Sequence, residues 1–398
     1  MGARLLLMGA GEMTDGCVTA ANRAGMQVHL VDLAHRAAPY RDVVCAIHPV
    51  PADVEQYWIA AARAAAARCE PDGVLGLTEP QVLAAAMVAE TFGLPGPSLA
   101  AASTCRDAAL QRTAFADGGV PQPLFLISLD RRECEEWAAS RYPVVVNSPR
   151  SLGASAVTLA GGPDELGVDL DCRLDVGEVL IEEYVAGPEY AWVGMVIDRE
   201  VVFGCTLAKQ PGERPGFVNL GYELPGQLPR PLARQVDRAV ADAIRSMGVW
   251  RGMTRVDFRV TDGAPRILRI SLGVSDARIM ELLSLAYGLD FFTALLEVAC
   301  GGWPASFRAS SPQPSAIRYL PQQAGRLERV TGRDELARDE YVVRHSVSAQ
   351  PGDEIPVVRH PEDRRAYAVF RAPDHATLHA AVERMLGSFR LVVSDRAG

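Results

Sequence analysis

The chain has 398 residues, 48% of them hydrophobic and 22% charged, with a formal net charge of −9. That length fits two or three domains with a sizeable core, and the acidic balance gives no basic footprint for nonspecific nucleic-acid binding. No apolar run reaches 18 residues, and the N-terminus (MGARLLLMGAGE) passes straight into a strand-and-glycine pattern, so neither a membrane partner nor a signal peptide is expected.

In chain order, Arg4 to Met8 reads as a short strand, Gly9-Ala10-Gly11-Glu12 as a glycine-rich turn into a helix, and Val28 to Asp32 as a second strand. A glycine-rich first turn with an acid at the second strand end is the opening of a dinucleotide site. It lacks the third glycine, so the preferred reading is that the glycines only make a tight turn. A dinucleotide-dependent oxidoreductase using Asp32 is the alternative this stretch leaves open. Glu55 to Cys69 and Pro80 to Phe92 read as helices on either side of a strand, Gly73 to Leu77, and residues 1–95 form an α/β layer with a parallel sheet.

Gly93-Leu94-Pro95-Gly96-Pro97 punctuates the chain. Helices follow over Ser98–Cys105 and Arg106–Gly118, then a strand, Tyr142–Asn147, and a small-residue loop, Pro149–Ser155. Val179 to Tyr184 is an apolar strand containing Glu182 and Glu183. Tyr190–Ile197 and Glu200–Leu207 form a hairpin, and Pro229–Met247 an amphipathic helix.

The stretch from Arg255 to Ser271 reads as a second hairpin. Val256, Phe258 and Val260 alternate with Arg255, Asp257 and Arg259, the period of a half-buried strand, and Asp262-Gly263 supplies the turn. Its polar face carries Asp257, with Arg269 opposite. Ile279 to Cys300 reads as one long apolar helix whose leucines fall at helical spacing. The remainder is strand-rich (316–320, 341–346, 366–371) and closes on a helix, Ala376–Leu386.

The eight cysteines are scattered with no C-x-x-C pair and read as reduced thiols of a cytoplasmic protein. The histidines do not converge. His375 and His379 stand one helical turn apart, but without an H-E-x-x-H pattern no metal site is expected there.

The order of these pieces, from GLPGPS through YPVVVN and VLIEEYVAGPEY to the TRVDF hairpin, resembles the ATP-grasp superfamily, and specifically its carboxylate–amine (amino-acid) ligase branch. The resemblance runs along almost the whole chain. It implies an α/β protein of ATP-grasp architecture, with a Rossmann-like parallel domain over 1–95 and linker helices with the first grasp lobe over 96–178. The second lobe, carrying the metal hairpin, would span 179–308, and a C-terminal α+β subdomain 309–398.

It also implies roles for particular residues. Glu182 falls where the inter-lobe hinge reaches adenine, with backbone groups from Glu183 to Val185 on the ring edge. Glu189 matches the acid that takes the ribose hydroxyls, and Gly153 and Ser155 belong to a loop like the phosphate flap. Asp257 matches the first magnesium carboxylate, and Arg255 falls where some relatives place an arginine beside the acyl intermediate. Arg255, Arg269 and Asp257 are therefore the candidate catalytic set. Arg251, Arg255, Arg269 and Arg278 are a candidate cationic pocket for a substrate carboxylate, with Lys209, the chain's single lysine, as a lid-side contact.

The departures lie in the chemistry. Asn147 stands where the family has a phosphate-touching lysine, and Ala108 where it has another. Arg269 occupies the position of the metal-bridging glutamate and Ser271 that of the metal-binding asparagine. Mg²⁺ requires oxygen ligands, usually including carboxylates. A guanidinium about 4 Å from a divalent ion, at an effective dielectric of about 20, repels it by roughly 8 kcal/mol before relaxation, for instance by pairing of Arg269 with Asp257.

The expectation is a protein of small-molecule biosynthesis repurposed for an ATP-independent step or for binding. Its site would have no resident Mg²⁺ and a doubtful claim on ATP. Its partner would be a carboxylate or amino-acid-like molecule, with a homodimer left open. The alternative is an active ligase that joins a carboxylate to an amine through an acyl phosphate.

Overall fold

The structure, a computed structural model, describes residues 2–9, 11–149, 157–212, 218–273, 276–304 and 311–394. It is a mixed α/β protein. Four parallel strands, β1 (Arg4–Met8), β2 (Gln27–Leu33), β3 (Ala46–Val50) and β4 (Gly73–Gly76), form a sheet in the order β3-β2-β1-β4. Leu5, Leu6, Leu7 and Met8 are all buried because helices cover both faces, as an all-parallel sheet requires.

A second, antiparallel sheet runs β5-β8-β6-β7, from β5 (Phe125–Ser128), β6 (Val144–Asn147), β7 (Val157–Ala160) and β8 (Val179–Glu183). The anticipated lobe boundary at residue 178 therefore falls inside this sheet, since β8 is hydrogen-bonded between β5 and β6.

The third sheet is the frame of the molecule. Its strands are β9 (Glu189–Ile197), β10 (Glu200–Pro211), β11 (Asn219–Leu224), β12 (Gly252–Thr261), β13 (Ala264–Leu272), β14 (Ser315–Tyr319), β16 (Val342–Val347) and β18 (Ala366–Arg371). They pair antiparallel in the order β13-β12-β9-β10-β11-β14-β18-β16. The C-terminal segment thus extends the second lobe's sheet rather than beginning a new one at residue 309. A small sheet, β17-β15-β19, is built from β15 (Gly325–Thr331), β17 (Glu354–Ile355) and β19 (Arg390–Ser394).

The expected hairpin is β12–β13, with Asp257 opposite Arg269. Val256, Phe258, Ile267 and Ile270 are fully buried and pack with Val236, Val240 and Ala243 of the helix Arg230–Ser246. The pairing slips after Asp257, so that Phe258 faces Ile267 and Leu268 is left over as a bulge.

The single long helix expected over 279–300 is two helices, Ala277–Tyr287 and Phe291–Ala299, bent by 114°. Gly288 ends the first at φ 66°, and the Asp290 carboxylate accepts from the N–H groups of Phe292 and Thr293 to start the second. The apolar spacing runs on across the break because both helices bury an apolar face. Among the described residues no single helix is long and apolar enough to cross a membrane.

Phe258→Ala removes a fully buried ring beneath the hairpin and is expected to cost about 3–5 kcal/mol. The check is the midpoint of denaturant unfolding. A loss below about 1 kcal/mol, the range of a volume-conserving swap, would mean that the hairpin does not rest on this core.

Candidate functional site

Strand alternation puts Arg255, Asp257 and Arg259 on one face of the large sheet. Glu189 lies opposite Arg259 on β9, and Lys209 follows on β10, opposite Tyr222 of β11. Their side chains form one continuous chain of charge. The Arg255 guanidinium donates to Asp257 Oδ1 at 2.8 and 3.2 Å, and Lys209 Nζ reaches the same oxygen at 3.4 Å. Lys209 also bonds Glu189, whose other oxygen accepts from Arg259 at 2.9 and 3.1 Å. Arg259 then donates to the Val185 carbonyl at 2.8 Å. Three cations thus face two carboxylates, and all five side chains are mostly buried.

Burial alone pushes the Asp257 carboxyl up, yet Arg255 and Lys209 outweigh it and hold the group below its ordinary range. Burial likewise opposes the Glu189 charge, and Lys209 and Arg259 reverse it. Desolvation works against the Lys209 ammonium, but Asp257 and Glu189 raise its proton affinity overall.

Arg269 stands opposite Asp257 in the pairing but does not bond it. Its guanidinium reaches Glu79, at the start of the helix Glu79–Phe92, and burial lowers its proton affinity. The relaxation anticipated from the sequence, Arg269 onto Asp257, is replaced by Arg255 and Lys209.

A cavity of about 300 Å³ lies between the hairpin and the strands β6, β7 and β8. Glu182, Glu183, Tyr184, Val185, Asn147 and Leu268 contribute to its wall. The Glu182 carboxylate is engaged by the buried Arg112, which also donates to the carbonyls of Leu268 at 2.6 Å and Ile267 at 3.3 Å. The bulge at Leu268 is what lets one guanidinium gather both carbonyls. Asn147 Oδ1 is buried on this wall with no hydrogen-bond partner among the described residues.

Along the same face run three tyrosines, each under an arginine. Arg255 lies over Tyr222 at 5.7 Å, Arg364 over Tyr319 at 3.5 Å, and Arg278 over Tyr367 at 4.2 Å.

The model for the ATP-grasp N-terminal domain matches residues 18–96, and that for the L-amino acid ligase C-terminal domain 2 matches residues 318–394. The chain thus carries an ATP-grasp N-terminal domain and an L-amino acid ligase C-terminal domain. An L-amino acid ligase from Bacillus licheniformis has the same fold, with a TM-score of 0.85 over 99% of both chains at 19% identity. An uncharacterized protein of Sinorhizobium fredii is 25% identical over 333 residues, covering 81% of this chain and 68% of that protein. Carnosine synthase 1 of Gallus gallus is 26% identical over 358 residues, covering 82% of this chain but 38% of that enzyme. The chain therefore spans well under half of that relative's length.

Within this ATP-grasp frame, the fold brings Arg255, Asp257, Lys209 and Glu189 together, and Glu183 and Val185 line the inter-lobe cavity. Glu182 lines it too, but its carboxylate is taken by Arg112. The four-arginine pocket does not assemble. Arg251 bonds Asp198 at 2.9 Å and the Gly302 carbonyl at 3.2 Å, while Arg278 bonds Glu281 at 3.0 Å and Glu12. Gly153 and Ser155 lie outside the described residues. Asp32 is fully buried, with its carboxylate on the Leu33 N–H, so it presents no oxygen to a dinucleotide ribose.

Sequence reasoning missed Arg259, Arg112 and the tyrosine row. For Arg259 the signal was there, since it shares a face with Asp257 two residues on. Arg112 and the tyrosines depend on pairings between distant segments.

Asp257→Ala strips Arg255 and Lys209 of a buried counter-charge and is expected to destabilise the protein by about 3–5 kcal/mol. Both carboxyls are held below their ordinary range. Their contribution is therefore full at neutral pH and is lost as pH falls through the lowered values, so the wild type gives up stability in acid that Asp257→Ala no longer has to lose. Denaturant unfolding at several pH values measures both effects. An Asp257→Ala protein more stable than wild type at neutral pH would show that the acid is in surplus, waiting for an external cation.

Proposed function

We propose that this ATP-grasp protein of the carboxylate–amine ligase family binds a carboxylate-bearing, amino-acid-like small molecule on fixed side-chain cations, without a magnesium ion. In small-molecule biosynthesis it would act by binding or in an ATP-independent step. The single observation that carries this reading is the charge chain Arg255–Asp257–Lys209–Glu189–Arg259, with its surplus of one cation.

The donor set does not fit Mg²⁺. Asp257 is the one carboxylate at the family's metal positions, and it already accepts from a guanidinium and an ammonium. Its cross-strand partner is Arg269, and Ser271 stands opposite Arg255. An added dication about 4 Å from two cations and one anion meets a net repulsion of roughly 8 kcal/mol at an effective dielectric of about 20, before any rearrangement.

A nucleotide fares unevenly. The cavity is at the small end of ligand pockets, and its hinge wall suits a planar ring. Glu189, which would take ribose hydroxyls, is spent on Lys209 and Arg259. For a carboxylate the fit is better. Arg255, Arg364 and Arg278 line one face, and a guanidinium pairs with a carboxylate through two parallel hydrogen bonds.

A second reading, an ATP-dependent carboxylate–amine ligase, is favoured by the two family-model matches and by the cavity kept at the hinge. It requires Lys209 and Arg255 to leave Asp257 when a metal arrives.

Calorimetric titration with a panel of amino acids, in EDTA and in magnesium, separates the two. Binding of at least one amino acid is expected to be the same in both. Arg255→Met is expected to weaken it about 10–100-fold, the loss of a charged hydrogen bond. ADP release that needs an amino acid and magnesium, and that Asp257→Ala abolishes, would replace this proposal with the second reading.

A further inference from the structure

Adjacent residues of a strand point to opposite faces of a sheet. On β11, Tyr222 faces the cleft beside Arg255, so Glu223 faces the back. There it meets the helix His375–Ser388, which packs against that face. Two imidazoles one turn apart at its N-terminal end converge on one carboxylate oxygen. His375 Nδ1 is 3.1 Å and His379 Nε2 is 2.8 Å from Glu223 Oε1. The other oxygen, Oε2, accepts from Arg318 at 3.1 Å.

We propose that Glu223, His375 and His379 form a binding site for a zinc-type divalent transition metal ion, separate from the cleft. The ligand atoms of the three side chains all lie within 4.8 Å of one another. Bonds of about 2.0–2.1 Å to nitrogen and oxygen in a tetrahedron place ligand atoms roughly 3.3 Å apart. These two nitrogen–oxygen separations need only a few tenths of an ångström of expansion to admit the ion. The donor set, two neutral imidazoles and one carboxylate, is that of open zinc sites, which leave a position for water.

The surroundings fit as well. Glu223 is buried, which fixes its orientation, while His379 is half exposed, which gives the ion a way in. Arg318 occupies Oε2 and so holds Glu223 to one-oxygen ligation, the outer-shell role that orients ligating carboxylates. Arg318 also brings a positive charge, which weakens binding, and Glu383 on the same helix opposes that charge electrostatically. Glu223 does not compete with the cleft, because it lies on the opposite face of the sheet.

The bound ion would clip the C-terminal helix to β11. Glu223 lies more than 150 residues from either histidine in the chain, so the clip would close a long loop. The same strand carries Tyr222 into the cleft.

The test uses the full chain after EDTA treatment and dialysis. Zn²⁺ is titrated by calorimetry, Co²⁺ by its visible ligand-field bands, and thermal unfolding is followed with and without Zn²⁺. One equivalent of Zn²⁺, a raised melting temperature and tetrahedral Co²⁺ bands are expected for the wild type. His379→Gln should weaken binding by more than the roughly 10–100-fold that loss of an outer-shell partner costs, and should remove the thermal shift. Its side chain is half exposed, so the metal-free melting temperature should stay near wild type. Glu223→Gln should behave alike for the metal, and where it fails to fold, His379→Gln decides.

Another imidazole pair, His29 and His48 at 3.3 Å, and the exposed Cys45 and Cys172 remain in these variants. Binding and a thermal shift that survive His379→Gln would assign the metal to those groups and overturn the proposal, as would absence of binding in the wild type.

Discussion

Two carboxylates and three cations buried on one face of a β-sheet hold β12, β9 and β10 in register at the mouth of the cleft. A buried charge is costly unless it is paired, and each of these acids has two cationic partners. A site that waits for a metal carries the opposite imbalance, with acids that repel one another until the ion arrives. Here the chain of paired side chains carries one extra cation, with Asp276 acting electrostatically on Arg255 from nearby. The position of the tyrosine row follows from this. It continues along the same sheet face from Arg255, and each ring lies under a guanidinium.

The same charges also anchor the cleft to the first domain. Arg269, Arg106 and Arg278 reach Glu79, Glu55 and Glu12, all in the N-terminal α/β layer. These pairs are partly exposed, and such pairs contribute little energy individually. Their importance is positional. Arg269 leaves the sheet opposite Asp257 and commits its guanidinium to Glu79, so it ties the hairpin to the N-terminal layer. That commitment explains why Asp257 is served by Arg255 and Lys209, which come from its own strand and from β10.

Much of this frame was legible in the sequence where a period of two or of 3.6 runs unbroken. The face shared by Arg255, Asp257 and Arg259 followed from alternation, and the turn from Asp262-Gly263, whose φ values of 50° and 72° need residues that tolerate the left-handed region. The bulge at Leu268 was not legible, because one unpaired residue on one strand leaves no mark in a hydrophobic pattern. The break at Gly288 was hidden because both helices present leucines to the same core. Ion partners were least legible of all. Alternation gives the direction of a side chain, but a guanidinium spans several ångströms, so Arg269 could reach either Asp257 or Glu79 from one backbone position. Glu223 could not be joined to His375 and His379 until β11, β14 and β18 were known to be neighbours.

On the proposed reading, tethered cations stand in for a mobile dication, and that changes what a cleft can do. A magnesium ion bound with a triphosphate would neutralise the charge that develops during phosphoryl transfer. A guanidinium held by Asp257 stays at one place on the sheet and offers hydrogen bonds in one plane. It can neutralise a carboxylate that comes to it, and it is preorganised to do so because its own partners already fix it. It cannot follow a phosphoryl group through transfer without leaving Asp257, and leaving exposes a buried acid. On the proposed reading, the pairing of Arg255 and Lys209 with Asp257 that stabilises the sheet would oppose phosphoryl transfer and favour binding of an anion.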